Sequence, residues 1–147
     1  MLREIRGVEQ RDPQRMKRWF QDDYFDLFVW QDAAGDVRRF QLCYERDTRR
    51  ERAFEWLGGR GFQHLLVRQR YSGSPGRDQS GDMALDGVLP YVALKDRFAG
   101  AARSLPPELS GFIEDKLREF ARPARRFRRP SLRVPRWLAK LRERETR

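Results

Sequence analysis

A chain of 147 residues suits one ordinary domain plus a tail or insertion. Its 32 Lys+Arg against 22 Asp+Glu give a formal net charge of +10, and its 34 Leu, Ile, Val and Phe residues exceed what a wholly disordered chain of this charge would carry. One Cys and one His exclude an intrachain disulfide and a Cys/His zinc site built from this chain, and no apolar run approaches the ~20 residues of a bilayer span.

In chain order, residues 3–10 and 15–20 read as two weak strands broken around Asp12-Pro13. Tyr24–Trp30 is an aromatic and branched run of the kind strands prefer. After the turn cluster 31–36, Val37–Arg46 alternates; 47–50 turns, and Arg52–Leu57 forms the next strand. Gly58-Gly59-Arg60-Gly61 supplies a hairpin connection into Phe62–Gln69. Loops this short predict an antiparallel meander, because parallel crossovers need a dozen or more residues. Residues 71–87 form a long loop rich in Gly, Ser and Asp, without a P-loop or dinucleotide fingerprint, so no cofactor is expected. Two helices follow. Tyr91, Leu94, Phe98, Ala101 and Leu105 recur at helical spacing after Pro90, and Leu109, Phe112, Ile113, Leu117 and Phe120 form a stripe after Pro106-Pro107, ended by Pro123. The expected fold is α+β: an antiparallel meander of four to six strands with two C-terminal helices on one face, over residues 1–120.

The charge sits at the end of the chain. Residues 1–120 hold 21 Lys+Arg and 20 Asp+Glu, whereas 121–147 hold 11 and 2, so the tail alone makes the protein basic. Its cations, among them Arg125, Arg126, Arg128, Arg129, Arg133 and Arg136, are mostly forked guanidiniums that grip phosphate in bidentate fashion. Such a tail, partly extended with a short helix after Pro135, suits phosphate binding by counterion release ahead of docking on an anionic membrane surface. The plainer alternatives are a solvated Arg-rich terminus or a protein-binding arm.

Loop lengths predict a register. Leu27 falls opposite Phe40, Asp26 opposite Gln41, Cys43 opposite Phe54, Gln41 opposite Trp56, and Glu55 opposite His64. One face then holds Phe25, Leu27, Val29, Phe40, Leu42, Tyr44, Ala53, Leu57, Phe62 and Leu66, with Glu55 and His64 among them. This is the face for the helices. The other mixes Tyr24, Asp26, Phe28, Trp30, Arg39, Gln41, Cys43, Arg52, Phe54, Trp56, Gln63 and Leu65.

Four features carry candidate chemistry. Glu55 beside His64 would fix the imidazole tautomer and raise its basicity, as a general base requires; the plainer reading is a satisfied cross-strand polar pair. Asp26 is a carboxylate inside an aromatic strand, either exposed or paired with Arg39, and stands too far from His64 for a dyad. Cys43, in an apolar setting, reads as a packed, inert thiol rather than a nucleophile. The second face is either a platform on which bases stack on Tyr24, Phe28, Trp30, Phe54 and Trp56 while Arg39 and Arg52 hold phosphates, or a face covered by residues 3–20, by curling of the sheet, or by a second copy in a homodimer.

The string YFDLFVWQDAAGDVRRFQLCYER, with the later His64, resembles a group of short uncharacterised bacterial proteins that share a Y-F-D-L-x-V-W … F-Q-L-C-Y stretch. The resemblance spans roughly residues 1–120 and carries over no catalytic residue. It implies a bacterial, cytoplasmic protein, in keeping with an N-terminus that has no apolar signal core. The expected function is a non-enzymatic binding or interaction module whose partner is nucleic acid, RNA first. The rival is a small enzyme using Glu55 and His64, with Asp26.

Overall fold

A computed structural model describes residues 1–67, 83–85 (backbone only) and 89–122. Strands β1 (Arg3–Ile5), β2 (Met16–Gln21), β3 (Phe25–Gln31), β4 (Val37–Tyr44), β5 (Arg52–Trp56) and β6 (Phe62–Val67) form an antiparallel meander in chain order. A three-residue strand, β7 (Met83–Leu85), pairs with the far edge of β6 and extends the sheet beyond the expected four to six strands. Helix α1 (Tyr91–Ala101) runs into a 3-10 turn at Ala102–Ser104, and α2 (Pro107–Ala121) follows. The rest of the Gly/Ser-rich stretch, positions 68–69 of the last expected strand, and 123–147 with the six tail arginines named above lie outside the described residues.

The segment expected as one strand over 3–10 ends at Ile5, because Gly7 takes a positive φ of 74° and turns the chain away. The Leu2 N–H bonds the Ala101 carbonyl (3.0 Å), and the Ser104 hydroxyl donates to the Leu2 carbonyl, fastening the N-terminus to the end of α1.

Each hairpin loop decides a register. The turn after β3 is organised by Asp32, whose Oδ1 accepts from the Ala34 and Asp36 N–H groups (3.0 Å each). Gln31 therefore pairs with Val37, and a bulge at Arg38 brings Trp30 opposite Arg39 and Leu27 opposite Leu42. The shift from the expected register is two residues, so every β3 and β4 side chain keeps its face. The β4–β5 loop, 45–51, has Glu45 and Asp47 at positive φ (53° and 60°) and pairs Tyr44 with Arg52, one residue from expectation. A one-residue slip inverts a strand. Phe54 and Trp56 consequently face the helices, while Ala53 and Glu55 face away. The loop 57–61 adds a second one-residue difference, so β6 returns to its expected faces, with His64 on the helix side.

The core lies between the sheet and the two helices. Phe25, Leu27, Val29, Phe40, Leu42, Tyr44 and Phe54 meet Leu94, Phe98, Leu109, Ile113 and Leu117. Rings interlock across the layers: Phe25 with Phe98 (5.9 Å), Phe40 with Phe112 (6.3 Å) and Phe54 with Phe120 (5.2 Å between centroids). Each large apolar side chain so buried contributes about 1.5–3 kcal/mol. Among the described residues no helix is long and apolar enough to cross a membrane.

Candidate nucleic-acid interface

The face turned away from the helices is set by alternation. It carries Lys17, Trp19 and Gln21 from β2; Asp26, Phe28 and Trp30 from β3; Arg39, Gln41 and Cys43 from β4; Ala53 and Glu55 from β5; and Gln63, Leu65 and Val67 from β6. Residues 3–20 supply β1 and β2, which extend this face, and the connecting loop 6–15 lies beside its Trp19, Phe28 and Trp30.

Three half-buried rings stand together on β2 and β3, Trp19 directly opposite Phe28 and Trp30 two residues further along β3. Trp19 stacks on Phe28 (5.6 Å, planes 22° apart), and Phe28 lies 6.5 Å from Trp30. The Trp19 indole N–H donates to Asp26 Oδ1 (2.8 Å), which also accepts from the Gln21 amide (2.9 Å). Arg46 Nε approaches the other Asp26 oxygen at 4.0 Å. Asp26 is thus neither solvated nor paired with Arg39. It orients Trp19, and its Cα partner is Cys43 rather than Gln41.

Two cations stand over the rings. The Lys17 ammonium lies 4.9 Å from the Phe28 centroid and 5.4 Å from that of Trp30. The Arg39 guanidinium lies 4.4 Å from the Trp30 ring while its Nε (2.7 Å) and one terminal nitrogen donate to the buried Glu55 carboxylate. Glu55 thus holds the Arg39 guanidinium over Trp30. A buried carboxylate without that guanidinium would be strongly unfavourable.

The loop 6–15 has a built conformation. The Gln10 side-chain amide donates to the Lys17 carbonyl (2.8 Å) and accepts from the Lys17 N–H (2.7 Å). Asp12 closes a turn by accepting from the Gln14 N–H (2.9 Å). Between this loop and the ring row lies an open cleft of about 570 Å³, with Lys17, Trp19, Phe28 and Trp30 on its sheet side.

The other expected site residues are dispersed. Tyr24 lies just before β3, against Phe25 and under the Arg97 guanidinium (3.7 Å), and burial together with the Glu45 charge pushes its phenol above the usual range. Trp56 packs on Phe112 (5.1 Å) on the helix side, with the Lys116 ammonium over its ring. Arg52, also on the helix side, reaches Glu45 at 3.7 Å. Tyr24, Trp56 and Arg52 are therefore not part of one face with Phe28, Trp30 and Arg39. Trp19 and Lys17 take their places. The sequence carries a signal for them: Asp22-Asp23 leaves room only for a tight turn, so β2 must be the sheet neighbour of β3.

The expected Glu55–His64 pair does not form. Glu55 is opposite Gln63 and faces away from the helices, whereas His64 is opposite Phe54 on the helix side. His64 Nε2 instead meets the Tyr44 hydroxyl at 2.6 Å, with the two rings nearly parallel and both residues buried. Among the described residues no group of three His, Cys, Asp or Glu is placed to hold a metal ion.

Cys43 packs with Ala53 and Leu65 under Phe28 and Val67, and burial pushes its thiol up to about 12. The thiol stays protonated in the fold while the unfolded chain ionises from about pH 8.5. Its contribution to stability is therefore fully present below that pH and declines as pH rises toward 12. Iodoacetamide at pH 8 is expected to leave native Cys43 unmodified over hours and to alkylate it in minutes in denaturant. Mass spectrometry checks this, and rapid native labelling would contradict the burial.

Comparison with protein-family models, curated proteins and solved structures yields no match for the chain.

Proposed function

We propose that the protein is a non-enzymatic, single-stranded nucleic-acid-binding module, with RNA as its preferred partner, acting in the bacterial cytoplasm as its resemblance implies. The observation that carries this reading is the row Trp19–Phe28–Trp30, half-exposed on the helix-free sheet face with Lys17 and Arg39 upon it. Aromatic rings on a sheet give bases a stacking surface worth about 1–3 kcal/mol per base, independent of sequence. The Arg-rich tail adds phosphate neutralisation of the kind that dominates affinity at low salt.

Fluorescence anisotropy with a labelled single-stranded RNA, across a salt series, tests it. Trp30→Ala is expected to weaken binding by roughly 5- to 150-fold, the range that loss of one stacked base implies. Trp56→Ala, on the helix side, should leave RNA affinity unchanged in protein that remains folded by circular dichroism. Equal affinity of the wild type and Trp30→Ala would remove the sheet face from the interaction.

A further inference from the structure

We infer that the cleft between loop 6–15 and the ring row is a mononucleotide-sized site that takes one base and its phosphate. This inference rests on the binding reading above and narrows it from an open platform to a walled position. Three observations converge on it.

The first is size. A cleft of about 570 Å³ falls within the roughly 300–1,000 Å³ range of small-ligand sites and is far too small for a tract of RNA. The second is that its wall is fixed. Gly7 at positive φ, the two Gln10–Lys17 bonds and the Asp12 turn hold residues 7–15 beside the sheet, so the wall needs little ordering when a ligand enters. The third is chemical complementarity. Arg6, Arg11, Arg15 and Lys17 border the cleft against Glu9 and Asp12. Glu9 already contacts Arg11 (3.4 Å), and Asp12 is engaged in its own turn. The excess is positive, beside aromatic rings, which fits a ligand that is aromatic at one end and anionic at the other.

Lys17 explains how the site opens. Its ammonium covers Phe28 and Trp30, where a base would lie. An incoming base takes the place of Lys17 on the rings, and the displaced ammonium meets the phosphate at the cleft rim. A nucleoside without phosphate offers Lys17 no such partner. Phosphate and base thus act together.

The test uses the full-length protein, with AMP, UMP and adenosine as probes. Each is titrated as a competitor of labelled single-stranded RNA and, separately, followed by tryptophan quenching. AMP and UMP are expected to displace RNA at millimolar concentration, with adenosine at least ten-fold weaker. Gln10→Leu removes both wall bonds without touching the rings. It should weaken AMP at least ten-fold in protein that circular dichroism shows to be folded. If RNA binds and responds to Trp30→Ala, yet neither nucleotide competes nor quenches, the walled site is wrong and the open platform stands. If adenosine matches AMP, or Gln10→Leu leaves AMP unaffected, the assigned phosphate or wall is wrong. If neither RNA nor nucleotides bind, both readings fall together.

Discussion

Phe54→Ala is expected to destabilise the protein by about 3–5 kcal/mol, the cost of emptying a fully buried phenylalanine site. At this chain length that corresponds to a fall in Tm of roughly 6–20 °C. The ring touches Phe40 (5.8 Å), Phe62 (5.8 Å) and Phe120 (5.2 Å), so its removal opens a void bounded by two strands and α2. Those neighbours are held by their own elements and cannot close the space. The measurement is thermal or urea unfolding followed by circular dichroism. It also tests the β5 register. In the arrangement loop lengths alone suggest, Ala53 would face the helices and Phe54 would sit on the open face. Its truncation would then cost about 1 kcal/mol or less, as surface changes do. A loss that small would overturn the assignment of β5 and, with it, the separation of Glu55 from His64.

The second large effect concerns the tail. Positions 123–147 hold ten Lys+Arg and two Glu. For single strands the logarithm of affinity falls with the logarithm of salt with a slope of about −0.7 per phosphate neutralised. Engagement of some six tail cations therefore predicts a slope of about −4 for the full chain. A chain ending at Arg122, which retains every residue of the described core, keeps Lys17 and the loop arginines, and its slope should fall to about −1 to −2. Near 50 mM salt it should bind RNA at least about 100-fold more weakly. Anisotropy at four salt concentrations measures both quantities. An unchanged slope on truncation would show that the tail makes no phosphate contacts, leaving the sheet face to account for all binding.

The meander and the helices were legible because their signals are local. Alternation over 24–67 and the stripe Leu109–Ile113–Leu117 each require only neighbouring residues, and each placed its element. Faces were harder, because they depend on how many residues a loop consumes. Two left-handed residues in 45–51 and the 3-10 turn at Gly58–Arg60 each moved a register by one. For β5 a competing signal was available. Phe54 and Trp56 stand two apart, against Ala53 and Glu55, and the larger apolar pair dictates which side is buried. Apolar pattern outranks loop geometry there because burying two aromatic rings outweighs any preference of a flexible turn. The ring row was only half visible. Alternation alone puts Phe28, Trp30 and Arg39 on one face, but Trp19 and Lys17 enter it only once β2 is recognised as a sheet neighbour. Nor does spacing reveal that Glu55 holds Arg39 on Trp30; that follows from the β4–β5 register.

The Gln10 amide has a consequence beyond shaping the cleft. Strand β1 pairs only with Trp19–Gln21, so the first half of β2 would otherwise present bare main-chain donors and acceptors. Exposed edges of this kind recruit strands from other molecules and seed aggregation. By occupying both main-chain groups of Lys17, one side chain serves as a single rung of a missing strand. The proline at position 13 and the arginines around it make that stretch a poor recruit for foreign pairing. The same glutamine that walls the cleft therefore also covers this stretch of the sheet edge.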